Sequence, residues 1–169
     1  MPSILEGLRR LEYRGYDSAG IAVLNQGTMD RRRAAGKIAK LENELRKKPL
    51  DGNTGIGHTR WATHGVPNVV NAHPHVSGSV SVVHNGIIEN HKQLREELVS
   101  LGFAMETETD TEVAAHLVKY YYDQGLTPEE IMRAIIDRLS GAYALVIMIA
   151  DHPGMLMAAR KSSPLAIGF

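Results

Sequence analysis

The chain has 169 residues, 43% hydrophobic and 22% charged, which is the composition of a folded globular domain rather than of a disordered segment. Nineteen basic side chains balance nineteen acidic ones, so neither a nucleic-acid partner nor an acidic membrane surface is expected. These residues include no cysteine, which excludes disulfides, thiolate metal ligands and a thiol nucleophile. Because no apolar run reaches the roughly eighteen residues of a membrane span and the first residues do not form a signal peptide, we expect a cytoplasmic protein.

The first third of the chain predicts two helices and three strands. Ile4, Leu8 and Leu11 fall on one helical face, and Ser3 precedes them as a candidate N-cap. The other elements of this part are a strand over 20–25, a turn at Gln26-Gly27, a second strand ending near Ala35, a helix carrying Ile38, Leu41 and Leu45, and a short strand over 55–59.

The rest of the chain adds three helices and three strands. A loop containing proline and histidine leads to a strand over 80–84, and Thr109–Glu112 and Thr127–Glu130 have the spacing of capping boxes, which predict helix starts. The other elements are a helix over 93–101 closed by Gly102, an apolar strand over 143–150, a turn over 151–154 and a return strand over 155–159. Because hairpins join several of the strands, the pattern predicts an α+β fold with antiparallel sheets.

The first polar cluster, residues 58–65, follows a predicted strand. Arg60 has the rigid guanidinium fork that suits a carboxylate or a phosphate. Thr63 and His64 offer further hydrogen bonds, and Trp61, the one tryptophan, offers a flat lid. The same residues also suit a surface loop with an extended arginine and a packed tryptophan, and the spacing alone does not decide between these interpretations.

Two further clusters each allow a functional and a structural interpretation. The side-chain amide of Asn85 and the N–H of Gly86 are a plausible pair of oxyanion donors, but Asn-Gly after a strand is also a common hairpin turn. Asp110 could face a substrate ammonium, or it could be a first-turn acid that stabilises the helix dipole.

Five of the eight histidines lie between residues 58 and 84, which raises the alternative of a metal-dependent hydrolase. Their spacing matches no metal motif. His73 and His75, on either side of Pro74, are expected to point to opposite sides. We therefore predict neither a metal site nor a cofactor.

Five segments, taken together, resemble a known family. They are LRRLEYRGYDSAG (8–20), HTRWATHG (58–65), NAHPH (71–75), HNGIIEN (84–90) and ETDTEV (108–113). In order and spacing they resemble the class II glutamine amidotransferases. The sequences YRGYD (13–17) and WATH (61–64) most resemble the glutaminase domain of those family members that aminate fructose-6-phosphate.

The resemblance implies an N-terminal-nucleophile fold, a four-layer αββα sandwich with antiparallel sheets, and a glutamine site. It implies that Arg60 holds the α-carboxylate of glutamine, with Thr63 and His64 alongside, and that Asp110 together with Gly86 holds the α-ammonium. The same resemblance makes Asn85 and Gly86 the oxyanion hole, places Trp61 in a loop that closes over glutamine, and assigns Arg14 and Tyr16 to supporting the nucleophile.

The chain departs from the family at the nucleophile. The family uses a cysteine at the mature N-terminus, within a Cys-Gly-Ile-Val-Gly strand, and no such strand is present here. The serines and threonines are internal, so none has a free α-amine as its base. We therefore expect residues 1–169 to be one incomplete glutaminase domain, truncated at both ends and inactive alone.

Other partners and states follow from the same expectation. Fructose-6-phosphate would be bound by sugar-isomerase domains that are absent from this chain. Loss of a central strand would leave unpaired strand edges, so the fragment is expected to be loosely packed or to self-associate, as a homo-oligomer for example. The alternative function is a non-catalytic module that binds glutamine.

Overall fold

A computed structural model describes residues 2–61 and 65–168 of the chain. The helices are α1 (Pro2–Leu11), α2 (Ile38–Lys47), α3 (His91–Ser100), α4 (Asp110–Asp123) and α5 (Pro128–Arg138), and a short 3-10 turn spans Glu12–Arg14. The strands are β1 (Ser18–Asn25), β2 (Thr28–Ala35), β3 (Thr54–Arg60), β4 (His75–Ser77), β5 (Val80–Ile88), β6 (Gly141–Ile149) and β7 (Met157–Lys161). None of the described helices has the length and apolar character needed to cross a membrane.

The strands form two antiparallel sheets. The first has the order β2-β1-β3 and the second the order β4-β5-β6-β7. The hairpin between β1 and β2 turns at Gln26 and Gly27, whose φ angles of 47° and 79° are both positive, as a type I′ turn requires. The predicted α+β class with antiparallel sheets is confirmed.

The sheets pack face to face between two layers of helices. Along β1, Ile21 and Val23 face α1 and α2, whereas the alternate residues Ala22 and Leu24 face the second sheet. On the other side, residues of β5 and β6 form the largest apolar cluster with α3, α4 and α5. The order of layers is therefore helix, sheet, sheet, helix, as the resemblance implied.

Most predicted elements are confirmed, with differences at their ends. Ser3 lies inside α1, so the prediction that it is the N-cap was wrong; the helix already includes Pro2, a residue that tolerates the first turn. Thr127 and Glu130 form both hydrogen bonds of a capping box. Thr109 caps α4, but the carboxylate of Glu112 bonds to the amides of residues 106 and 107 instead of completing a box.

The structure excludes the interpretation of Asn85-Gly86 as a hairpin turn. Both residues lie inside β5, opposite Ala144 and Tyr143 of β6. Gly86 has φ 122°, and a Cβ at that position would overlap the carbonyl oxygen of Ala142. Glycine is therefore required by the close approach of β6 and not by a turn.

Four histidine side chains, those of His58, His73, His75 and His84, form a buried imidazole cluster. The rings of His58 and His73 lie 4.3 Å apart, and those of His73 and His75 lie 4.8 Å apart at 72°. The prediction that His73 and His75 point apart was wrong, because their rings meet, as expected of residues two positions apart, which share a face in an extended segment.

The start of α4 supplies hydrogen-bond partners for this cluster. The hydroxyl of Thr111 lies 3.0 Å from His84 Nδ1 and 3.1 Å from His73 Nε2, and that of Thr109 lies 3.1 Å from His75 Nε2. Across residues 2–61 and 65–168, no group of three or more histidine or acidic side chains is arranged to hold a metal ion. In the described part of the chain three of these imidazoles thus bond to threonine hydroxyls, and neighbouring rings of the cluster pack on one another.

Burial holds three of these imidazoles, those of His58, His73 and His75, neutral. Loss of solvation lowers the pKa of His58 to about 4 and that of His75 to about 3, and it moves the pKa of His73 well below its ordinary value. The unfolded chain takes up protons on these side chains below about pH 6.5, whereas the folded chain does not. Folding is therefore opposed by protonation as the pH falls.

We predict that the contribution of these histidines to the free energy of unfolding is constant with pH above about 7 and falls steeply below 6.5. Because the folded pKa values are depressed, each of His58 and His75 should remove about 2 kcal/mol of stability by pH 5. Urea denaturation at a series of pH values measures this slope. His75→Gln should flatten the slope, while His152→Gln, outside the cluster, should leave it unchanged; equal slopes for the two variants would contradict the prediction.

Two adjacent isoleucines of α5 provide a matched test of the helix-on-sheet packing. Ile135 is 0% exposed and Ile136 is 47% exposed. We expect Ile135→Ala to lower the free energy of unfolding by about 2–5 kcal/mol, because it leaves a cavity between α5 and the sheet, and Ile136→Ala to change it by less than about 0.5 kcal/mol. Urea denaturation of both variants measures the difference. Similar losses of unfolding free energy would contradict the assignment of Ile135 to the buried face of α5 and of Ile136 to its exposed face.

Candidate functional site

A cavity of about 670 Å³ opens between the end of β3, the middle of β5 and the start of α4. Residues from both sheets line it, together with parts of the chain before β1 and after β7. Those that carry polar or aromatic groups are Arg14, His58, Thr59, Arg60, Trp61, His73, His84, Asn85, Thr109, Asp110, Thr111 and Ser163. Most of the predicted site residues therefore lie around one space.

Arg60 is the last residue of β3 and is buried. It shares a face of the strand with Ile56 and His58, and this face points to the second sheet. Burial lowers the pKa of Arg60, and the carboxylates of Asp17, Asp110 and Glu108 oppose that shift. Its Nη2 donates to the carbonyl oxygen of Gly65 at 3.3 Å. The cavity wall thus contains a cationic group with acidic groups around it.

Asp110 is the first residue of α4 and is also buried. Its Oδ2 accepts a hydrogen bond from the N–H of Ile88 at 2.8 Å, and its Oδ1 lies 3.7 Å from His84 Nδ1. The carboxylate is therefore fixed against the end of β5. Its place in the first turn also suits the helix dipole, so the functional and structural interpretations of Asp110 are compatible.

The hydrogen-bond ladder of β5 determines where the amide of Gly86 points. At one end of the strand Ala150 donates to the carbonyl of Ser79, and at the other end Glu89 donates to the carbonyl of Ser140. Odd-numbered residues of β5 therefore bond to β6, and the even-numbered N–H groups point away from it.

The edge of β5 that faces away from β6 is paired with β4, but this pairing ends at Val82 of β5. The N–H of Gly86 therefore has no strand partner among the described residues. The next N–H on this edge, that of Ile88, donates to Asp110. The amide of Gly86 is directed to the same side of the strand as the carboxylate of Asp110.

The side chain of Asn85 leaves the plane of the second sheet and points into the space between the sheets. Its Oδ1 lies 2.8 Å from Nε2 of His58 on β3. The residue is exposed to the cavity, which its side chain lines. Asn85 and Gly86 thus present a side-chain amide and a backbone amide from consecutive residues.

Aromatic residues form the rim of the cavity. Trp61 is 62% exposed, and its ring meets that of Tyr16 edge-on, with the centroids 5.5 Å apart. Tyr16 does not line the cavity, whereas Arg14 does. Thr63 and His64 lie outside the described residues.

Sequence reasoning missed two parts of the site. His58 was considered only as a metal ligand, although the alternation of Ile56, His58 and Arg60 along β3 indicates that the histidine shares the face of the arginine. Residues 163–166 also line the cavity, and they follow β7 without regular structure. No periodicity in that segment could have predicted its place.

Comparison with known proteins identifies the family of this chain. A family model described as a glutamine amidotransferase domain matches residues 58–167. The matched range contains Arg60, Asn85, Gly86 and Asp110.

The similar proteins include several glutamine–fructose-6-phosphate aminotransferases (isomerizing). That of Gluconobacter oxydans is 57% identical over 169 residues, which is 99% of this chain and 28% of the relative. That of Escherichia coli is 58% identical over 166 residues, which is 98% of this chain and 27% of the relative. The chain therefore spans little more than a quarter of the length of these relatives.

Two solved structures have a similar fold. The glutamine phosphoribosylpyrophosphate amidotransferase from B. subtilis, complexed with ADP and GMP, is 30% identical with a TM-score of 0.74, over 88% of this chain and 33% of that one. A structure titled the allosteric regulatory enzyme of purine biosynthesis is 30% identical with a TM-score of 0.75, over 87% of this chain and 32% of that one. From the family model and these relatives together, the chain belongs to the glutamine amidotransferase domain family.

Proposed function

We propose that these residues bind glutamine and supply the oxyanion-stabilising groups of a glutaminase site. The observation that carries the proposal is the pairing of a buried guanidinium, Arg60, and a buried carboxylate, Asp110, in one cavity with two amide donors. A free amino acid carries one negative and one positive group on its α-carbon. A site for it needs one cationic and one anionic partner, and buried partners discriminate strongly because water does not screen them.

In this proposal Arg60 binds the α-carboxylate and Asp110 binds the α-ammonium. The side-chain amide of the bound glutamine would then lie towards Asn85 and Gly86. Their N–H groups would stabilise the negative charge that develops on the glutamine amide oxygen when the amide carbon is attacked. Trp61 would cover the bound amino acid, with Tyr16 packed against its ring. As the resemblance implies, Thr63 and His64 would bind substrate together with Arg60, and Arg14 and Tyr16 would support the nucleophile.

None of these residues can attack the amide as a thiol, because the chain contains no cysteine. Internal hydroxyls lack the α-amine that the family uses as its base. We therefore propose that this chain alone binds glutamine without hydrolysing it. This distinguishes it from a bare fragment that binds nothing.

The ammonia acceptor is proposed from the relatives. The similar aminotransferases are named for fructose-6-phosphate, so we propose that this sugar receives the ammonia in a complete protein that contains this domain. The sugar site would lie in residues beyond the region that matches here. The cytoplasmic location and the homo-oligomeric state stay predictions.

Calorimetric titration with glutamine tests the binding site. Asp110→Asn keeps an acceptor for the N–H of Ile88 but removes the charge, and Arg60→Lys keeps the charge but removes the fork. We expect each variant to weaken glutamine binding by about tenfold or more, because a charge-assisted hydrogen bond is lost. Asp137→Asn and Arg10→Ala, which change residues outside the cavity, are the matched controls. Unchanged affinity in Asp110→Asn and Arg60→Lys would refute the assignment.

Measurement of ammonia release tests the second half of the proposal. With glutamine in excess, the purified chain is expected to release ammonia at the rate of the buffer alone. Release above that rate that disappears in Arg60→Ala would show that a residue of this chain acts as the nucleophile, and the proposal would then be wrong. Calorimetry of the same sample shows whether a lack of turnover accompanies binding.

A further inference from the structure

One hydrogen bond crosses the cavity from the first sheet to the second. Nε2 of His58, on β3, lies 2.8 Å from Oδ1 of Asn85, on β5. Both side chains face the space between the sheets, and both line the cavity. None of the roles considered so far uses His58.

The tautomer of His58 follows from its surroundings. Because burial holds this imidazole neutral, it has one N–H to place on either Nδ1 or Nε2. Nδ1 is buried without a hydrogen-bond partner in the part of the chain that the structure describes. A proton on Nδ1 would leave a buried donor unpaired and would set the Nε2 lone pair against the oxygen of Asn85, which costs more than leaving a lone pair unpaired.

The proton therefore belongs on Nε2, where it donates to Oδ1 of Asn85. A primary amide has its oxygen and its nitrogen on opposite sides of the group, so fixing the oxygen fixes the nitrogen. With Oδ1 bound to His58, the two N–H donors of Nδ2 are directed away from β3. Without such a bond, rotation about χ2 would let Asn85 present either its oxygen or its nitrogen to the cavity.

We propose that His58 is a positioning residue that holds the Asn85 amide with its nitrogen towards the ligand, so that the site accepts an oxygen atom carrying negative charge. The proposal rests on the proposed function only in naming glutamine as the ligand. The orientation itself depends on groups of the protein alone. His58 acts through Asn85 and does not need to touch the ligand.

This orientation has a consequence for two ligands of nearly the same shape. Glutamine has a side-chain amide that can turn to offer either oxygen or nitrogen, so it adapts to both orientations of Asn85. Glutamate has a carboxylate, which only accepts, so it needs N–H donors opposite it. Loss of His58 should therefore weaken glutamate binding more than glutamine binding, whereas a purely structural role would weaken both alike.

Long-range proton–nitrogen NMR spectra test the orientation without any ligand. The His58 ring signals, identified by their loss in His58→Gln, are expected to show a neutral ring protonated on Nε2 at pH 7. The side-chain amide signals of Asn85, identified by their loss in Asn85→Asp, are expected to keep their positions in His58→Gln and to move in His58→Leu. A ring protonated on Nδ1, or Asn85 signals that do not move in His58→Leu, would overturn the proposal.

Calorimetry with glutamate and glutamine tests the consequence. Glutamine at position 58 retains a side-chain N–H, so His58→Gln should keep the ratio of the two affinities, and His58→Leu should shift it against glutamate by about tenfold. His116→Leu is the matched control, because His116 is another largely buried histidine that bonds to Ser77 and lies outside the cavity. Equal losses for both ligands in His58→Leu would overturn the proposal.

The NMR and calorimetry experiments together distinguish a failure of this proposal from a failure of the proposed function. If the wild-type chain binds neither ligand, the proposed function fails and the NMR result alone decides the orientation of Asn85. If His58→Leu does not fold, the tautomer of the wild-type ring and the ratio in His58→Gln decide it. A changed ratio in His58→Gln would count against the proposal, since that variant keeps the donor.

Discussion

The pairing of β5 with β6 is the constraint on which the arrangement of the site depends. In a strand, side chains alternate between the faces while N–H groups alternate between the edges. Asn85 therefore points to the first sheet, and the N–H of Gly86 points to the edge where Asp110 binds Ile88. A shift of one residue in this register would reverse both directions. Tyr143, opposite Gly86 and fully buried among the helices, anchors the register that the site requires.

A second constraint is the cost of burying polar groups between two sheets. Three imidazoles sit there with pKa values lowered by burial, and the threonine hydroxyls at the start of α4 pair with two of them. The helix start thus serves the cluster and the site together, because Thr109 and Thr111 flank Asp110. Stability and the geometry of the site depend on the same turn of α4. This is an arrangement in which local packing and ligand binding cannot be changed independently.

Hydrophobic period and turn residues were sufficient to predict most of the fold. The strand signal over 20–25, the Gln26-Gly27 turn and the Thr127–Glu130 box are local signals, and each was confirmed. Asn85-Gly86 failed as a local signal because the need for glycine comes from Ala142, more than fifty residues away in the chain. The position of His73 likewise depends on Thr111 of α4, 38 residues further along the chain, which no short window of sequence contains.

The proposal that this chain binds glutamine without hydrolysing it is consistent with the elements that position the binding residues. Arg60 and Asn85 lie on strands, and Asp110 lies at a helix start, so their positions depend on the two sheets and α4 and not on a nucleophile. An oxyanion hole acts by having its donors already in place when charge develops, so it can exist before any attacking group is supplied. The hydrogen bond from His58 fits this requirement, because a donor that could turn away would have to be reoriented during the reaction. Preorganisation of the Asn85 side-chain amide is therefore what these residues contribute to the proposed site, whichever residue attacks.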